Sequence, residues 1–304
     1  MQKRLSAALN ISPVLSRLLI NRGLNLPEEA KNFLNPALSS LHSFNLLPDI
    51  VKAKQRIHRA MENKEKVLLF SDYDADGLTS LAVLKTALDR MGINPQAYIP
   101  HRLKEGYGLG RTAVKYAFDN AFSLVITLDC GISNFQEVEE LKRHNIDVII
   151  IDHHHLHSGK LPCADAVINP KREDSDYPFK DLAGVGLSYK FASCLLEDEL
   201  EEELDLVCLG TVADVAPLLG ENRIIVKEGL KQLNKSGRPG LKALLEKAGI
   251  ANKILNAGHI SFVLGPRLNA CGRIDSADAA LELLLCRSPE RSVELAEHLH
   301  NKNR

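Results

Sequence analysis

VLLFSDYDADGLTS (67–80) decides the fold. Its opening VLLFS (67–71) is a short apolar run, the pattern of a strand buried on both faces. A helix-compatible stretch follows over about 79–91. The alternation then repeats: QAYIP (96–100) with a helix over about 112–120, SLVITLD (123–129) with a helix over about 134–144, and DVIIID (147–152). DAVIN (165–169) is a weaker fifth run ahead of a helix near 184–197, a further helix fits 52–63, and the chain beyond 204 reads as mostly helical. Strands alternating with helices imply crossover connections and a parallel sheet. The expectation is an α/β fold: a mainly parallel sheet with helices on both faces, plus a helical C-terminal extension.

Several of these runs end in residues able to hold a cation. Asp72, Asp74 and Asp76 alternate directly after the first run. Along an extended segment they point to one side, where like charges repel unless a cation lies between them. Hard divalent cations take such oxygen ligands. An EF-hand loop also begins D-x-D-x-D-G, but its twelfth position is a glutamate; that position is Val83, and a strand precedes the loop. Asp129 closes the third run, and Asp152, His153, His154 and His155 close the fourth, with His157 continuing the cluster. Taken alone, Asp129 reads equally well as a helix cap, and the histidines as an incidental exposed run. Imidazole beside carboxylate suits Mn²⁺, Zn²⁺ or Fe²⁺ better than Ca²⁺. Asp214 lies in the apolar stretch CLGTVADVAPL, where an acid is costly to bury unless paired or metal-bound; a helix cap is its alternative reading.

In open α/β sheets, ligands gather beyond the carboxyl ends of the strands. Asp74, Asp76, Asp129, His153 and Asp214 suffice for two adjacent metal sites, with Asp129 the best bridging carboxylate. Two cations about 3.5–4 Å apart are the usual apparatus of phosphoester hydrolysis: one activates water and both offset phosphoryl charge.

Composition is that of an ordinary globular protein. Of 304 residues, 45% are hydrophobic and 25% charged, and no apolar run approaches the roughly 18 residues of a membrane span. The N-terminal MQKRLSAALNISPVLSRLLINRG lacks an apolar block with a small-residue cleavage site, so it reads as mature sequence. The six cysteines form no CxxC pair, which suits a reducing cytoplasm. Net charge is +6 over residues 1–66, −12 over 67–220 and +5 over 221–304. An acidic centre between basic flanks fits a cation-dependent enzyme with an anionic substrate, although solvated surface charge reads the same way.

Together, SDYDADGLTS (71–80), VITLDCGIS (125–133), IIIDHHH (149–155), LAGVGLSYK (182–190), LGTVADVAPL (209–218) and GPRLNACGR (265–273) resemble, in order, the motifs of the DHH phosphoesterase family, named for its Asp-His-His run. The likeness covers roughly residues 65–275 and is strongest to the family's bacterial 5′→3′ exonucleases specific for single-stranded DNA. It implies a two-metal site for Mn²⁺ or Mg²⁺ on Asp74, Asp76, Asp129, His153 and Asp214, with Asp72 a ligand or a supporting acid. It implies that Asp152 orients the histidine pair and that His154 contacts the scissile phosphate. Arg267, Asn269 and Arg273 are implied to contact the nucleic-acid backbone. The implied activity is release of 5′-mononucleotides from single-stranded DNA in repair and recombination. A single-stranded-DNA-binding protein or a helicase would be further partners, and no membrane is involved.

Two departures from the family pattern stand out. Some members carry a histidine four residues before the Asp74 position, where this chain has Phe70. Such enzymes also continue into a DHHA1-type domain and often an oligonucleotide-binding barrel. The expected division is therefore a helical leader (1–50), a DHH catalytic domain (51–255) and a connecting helical segment (256–304) toward an absent second domain, with strand binding weakened. Two other readings compete. One is a DHH phosphodiesterase for short oligonucleotides or cyclic dinucleotides, or a pyrophosphatase, against which GPRLNACGR and LAGVGLSYK count. The other is a non-catalytic scaffold relative, against which the retained acids and His153 count.

Overall fold

Five short strands carry the molecule: β1 (Val67–Ser71), β2 (Gln96–Tyr98), β3 (Leu124–Leu128), β4 (Asp147–Ile151) and β5 (Ala166–Ile168). They pair in the order β2-β1-β3-β4-β5, and every pairing is parallel. The computed structural model describes residues 1–156, 159–274 and 277–304, and the side chains of all of these except Arg273 and Ile274.

The apolar runs are explained by burial on both faces. Val67 and Leu69 of β1, Leu124, Ile126 and Leu128 of β3, and Ile149 and Ile151 of β4 enter one core layer. Their neighbours Leu68, Phe70, Val125, Val148 and Ile150 enter the other. Such period-two alternation leaves no polar face on a central parallel strand. Helices Ile50–Glu62, Ala75–Arg90 and Gly184–Leu196 cover the first face, and Arg111–Asp119 and Phe135–Arg143 the second. The helix after β1 begins at Ala75, four residues earlier than the sequence suggests, because Asp74 caps it.

The C-terminal part is helical as expected: Leu204–Ala213, Gly220–Lys235, Pro239–Lys247, Gly265–Ile274, Asp278–Leu285 and Pro289–Asn303 extend the first core layer. Within this helical stretch, Ile260–Leu264 is a π-helical turn feeding into Gly265–Ile274. At the N-terminus, Gln2–Leu9, Pro13–Asn21 and Pro27–Leu34 close around a small cluster of Leu5, Leu19 and Ala30. This unit and its connection are tied down by buried Glu221. Its carboxylate accepts the His42 backbone N–H at 2.9 Å and the Tyr177 hydroxyl at 2.6 Å, and pairs with Lys190 at 2.8 Å. Among the described residues no helix is long and apolar enough to cross a membrane.

Candidate metal centre

The strand order reverses between β1 and β3, and the site lies beyond their carboxyl ends, where such sheets bind ligands. Ser71 pairs with Leu128, and Leu128 with Ile151. The next residues along each strand are Asp72, Asp129 and Asp152, so the register itself sets three acids abreast. The backbone continues the ladder, with Asp72 N–H donating to Leu128 O at 3.4 Å and Asp129 N–H to Ile151 O at 2.9 Å. Asp129 has a φ of 59°, a left-handed conformation that strains an L residue by about 1–3 kcal/mol. Gly184 makes room for it, and Gly131 for the turn that follows. A Cβ on Gly184 would stand 2.7 Å from Asp129 Oδ1, and one on Gly131 would stand 2.4 Å from Thr127 Oγ1. That accounts for glycine in DCGIS and in LAGVG.

The alternating aspartates do not share one side of an extended chain. Asp74 Oδ1 accepts the N–H groups of Asp76 and Gly77, each at 3.0 Å, which starts the helix and puts Asp76 in its first turn. The three acids therefore divide. Asp72 and Asp74 gather with Asp129; Asp76 gathers with His153 and Asp214; Asp129, His153 and His154 form a third group. In each, the candidate ligand atoms lie within 4.8 Å of one another. Asp129 and His153 each belong to two groups and so link all three, with Asp129 the one carboxylate that is shared. Asp76 is held from behind, accepting the N–H groups of Gly184 and Val185 at 2.8 Å each. Asp214 ends the helix Leu204–Ala213. It is the C-cap residue of that helix, and because a helix C-terminus repels an anion its carboxylate gains nothing there from capping.

Burial and mutual repulsion weaken these acids. Burial, then the Asp74 charge, pushes Asp72 and Asp76 up to about 7. Burial, then Asp76, pushes Asp214 up to about 6, and the same two effects drive Asp129 well above the carboxylate range. Burial lowers His153. Asp129 Oδ1 and His153 Nε2 lie 3.1 Å apart, both buried, yet neither has a hydrogen-bond partner. Orphaned buried polar atoms are rare in folded proteins. A divalent cation would satisfy both and offset the repulsion, and an oxygen-rich donor set with imidazole suits Mn²⁺ or Mg²⁺.

Asp152 has a different environment. Its Oδ1 accepts the His154 N–H at 3.0 Å and lies 2.7 Å from His154 Nδ1, while Oδ2 accepts the Ile132 N–H at 2.9 Å. Burial alone would raise Asp152, but the bonds from His154 outweigh it and hold the carboxyl below its usual range. The same bond, against burial, raises His154. Among the described residues Asp152 bonds the ring of His154 and not that of His153. Phe70 is fully buried within β1, stacked on Tyr98, and is no part of the acid cluster. His155 is exposed, and His157 lies outside the described residues.

The motif match extends to known proteins. The DHH family's N-terminal domain matches residues 66–211. A crystal structure of exonuclease RecJ bound to manganese is 35% identical with a TM-score of 0.79, over 88% of this chain and 67% of that one. The chain belongs to the DHH family. RecJ from Thermus thermophilus in complex with Mn²⁺ gives a TM-score of 0.83 at 31% identity, covering 99% of this chain and 43% of that one. The single-stranded-DNA-specific exonuclease RecJ of Bacillus subtilis is 39% identical over 302 residues, 99% of this chain and 38% of that protein. Its Escherichia coli counterpart is 36% identical over 310 residues, 96% of this chain and 53% of that protein. This DHH chain thus spans about half or less of the length of these curated relatives.

The three residues assigned to the nucleic-acid backbone fare differently in this DHH fold. Asn269 Oδ1 accepts the Ala75 N–H at 2.7 Å, so it braces the acid loop. Gly272 packs against the same loop, where a Cβ would meet Tyr73 O at 2.6 Å. Arg267 donates to Val263 O at 2.7 Å and to His300 Nδ1 at 3.4 Å, leaning on the last helix rather than on the acids. The side chain of Arg273 lies outside the described residues. Two residues at the rim were missed. Tyr107 meets His154 edge-on, with ring centroids 6.2 Å apart, and Arg102 lies over the Tyr73 ring at 5.3 Å, where its charge offsets a small part of the burial and Asp74 repulsion that raise Asp72. The available signal for Tyr107 was GYG (106–108), directly after the short helix Arg102–Glu105, since Gly106 and Gly108 both take left-handed φ.

Proposed function

We propose that this chain is the catalytic half of a RecJ-type exonuclease, hydrolysing phosphodiester bonds of single-stranded DNA from the 5′ end to release 5′-mononucleotides. The observation that carries the reading is the buried, mutually repelling acid cluster in which Asp129 Oδ1 and His153 Nε2 face each other without a hydrogen bond. Asp74, Asp76, Asp129, His153 and Asp214 would hold the divalent cations, Mn²⁺ or Mg²⁺, with Asp129 the carboxylate best placed to be shared and Asp72 a further ligand or support. Bound there, the cations supply a lowered water pKa and charge neutralisation on the phosphoryl group.

The protein's own groups do the rest. Asp152 fixes the His154 ring and favours its cationic form, so that His154 donates a hydrogen bond to the scissile phosphate as negative charge develops. Water adds to phosphorus, the bond to the 3′-oxygen breaks, and that oxygen takes a proton from solvent or a neighbouring acid. Tyr107 and Arg102 line the approach. Arg267, Asn269 and Arg273 belong to the helix that supports the strand's path. In this reading residues 51–255 are the catalytic domain, 256–304 a connecting segment and 1–50 a leader. The protein acts in the cytoplasm in DNA repair and recombination, beside a single-stranded-DNA-binding protein or a helicase.

The test uses 5′- and 3′-labelled single strands with Mn²⁺, with Mg²⁺ and with chelator, alongside Asp76→Ala and His153→Ala. The expected result is metal-dependent release of the 5′ label as mononucleotide, lost in both variants. Turnover of dinucleotides but not of long strands would overturn the substrate assignment.

A further inference from the structure

The loop Gly106–Gly110 presents Tyr107 to His154, and it contains two glycines with φ of 84° and 80°. Backbone of that kind has unusual freedom. A side chain from another loop pins it. Asn134 Oδ1 accepts the Leu109 N–H at 3.2 Å, and Asn134 Nδ2 donates to the Leu109 carbonyl at 3.1 Å. One amide thus makes the two-bond pairing that a neighbouring strand would make. The fit is close: a Cβ on Gly108 would stand 3.0 Å from Asn134 Oδ1. Leu109 itself is buried in the second core layer.

Asn134 forgoes its ordinary task to do this. It occupies the N-cap of the helix Phe135–Arg143, where an asparagine side chain usually bonds the first free N–H groups. It makes no capping bond, and Nδ2 lies 3.3 Å from Glu137 Oε2. Its backbone belongs to the loop that begins at Asp129. Asn134 N–H donates to Gly131 O at 3.0 Å, and Ile132 N–H donates to Asp152 Oδ2 at 2.9 Å. One short loop therefore carries a candidate metal ligand, is anchored by the acid that orients His154, and ends in the residue that grips the Tyr107 loop.

We propose that Asn134 is a positioning residue that latches the Gly106–Gly110 loop to the Asp129–Asn134 loop and so keeps Tyr107 beside His154, where the terminal nucleotide is engaged. The engagement rests on the exonuclease reading; the latch is a property of the fold. Asn134 acts through Tyr107, not through the cations. Asn134→Asp is the informative variant. It keeps the size and the capping preference but sets a carboxylate against the Leu109 carbonyl.

The test follows hydrogen exchange at the Leu109 amide in the full chain, then a double-mutant cycle with Tyr107→Ala. Loss of one or two hydrogen bonds predicts exchange about tenfold faster in Asn134→Asp and in Asn134→Ala. On labelled single strands with Mn²⁺, each single variant should raise KM with kcat nearly kept, and the double variant should be no worse than Tyr107→Ala alone. Mn²⁺ affinity should be unchanged. Unaltered Leu109 exchange would overturn the latch. Additive losses, or weaker Mn²⁺ binding, would overturn its action through Tyr107. The exchange measurement needs no turnover, so a chain that cleaves no DNA would refute the exonuclease reading while the latch is still judged at Leu109.

Discussion

Asp129 Oδ1 and His153 Nε2 lie 3.1 Å apart in a buried pocket and share no hydrogen bond. Acids from the ends of β1 and β3, the first turn of a helix and the end of another all face this gap. Without a cation, such an arrangement works against folding.

Asp129→Asn removes one of the repelling charges without changing shape. In chelator the variant should melt higher than the parent, by roughly 1–3 kcal/mol of stability, the usual scale for a strained buried acid. The parent alone should gain stability from added Mn²⁺, since ligand bound only to the folded state shifts unfolding by mass action. Thermal melts of both proteins, with and without Mn²⁺, check this.

The pH dependence has a definite sign. Asp72 and Asp76 are raised to about 7 and Asp214 to about 6, from 3.8. Between about pH 4 and 7 the folded chain therefore holds more protons than the unfolded one, and its stability falls as pH rises. Chelated protein should be more stable at pH 5 than at pH 7.5. Cations compete with those protons, so Mn²⁺ affinity should rise across pH 6–7. Urea unfolding and Mn²⁺ titration at several pH values measure both.

The two histidines should separate functionally. His153→Ala should weaken Mn²⁺ binding. Asp152→Asn loses the acceptor that turns and charges His154, so kcat should fall about 10–100-fold, the usual effect of removing a supporting partner, with Mn²⁺ affinity little changed. Steady-state kinetics beside calorimetry distinguish these outcomes.

Gly184→Ala tests whether the glycine is needed for the acid rather than for the helix. Its Cβ would press on Asp129 Oδ1 at 2.7 Å. Circular dichroism should show an intact fold, while Mn²⁺ binding weakens. Unchanged binding would mean that Asp129 can move aside.

Much of the fold is legible in the sequence because buried parallel strands must be apolar throughout. VLLFS, SLVITLD and DVIIID announce themselves, and the acids that close them mark the ligand edge. The split of Asp72, Asp74 and Asp76 is not legible in alternation alone, since it depends on Asp74 capping a helix at Ala75. Arg267 shows a similar limit: a charged residue in a motif does not reveal which helix face it occupies. Tyr107 beside His154, and Asn134 on Leu109, join loops distant in sequence. Such pairings depend on tertiary packing and leave no local pattern to read.

The most direct measurement is Mn²⁺ stoichiometry, by calorimetry and electron paramagnetic resonance, on the parent and on Asp129→Asn. About two ions per chain are expected, magnetically coupled as befits a shared carboxylate, with the coupled pair lost in the variant. A parent that binds no Mn²⁺, or an Asp129→Asn variant that binds the pair unchanged, would contradict that expectation.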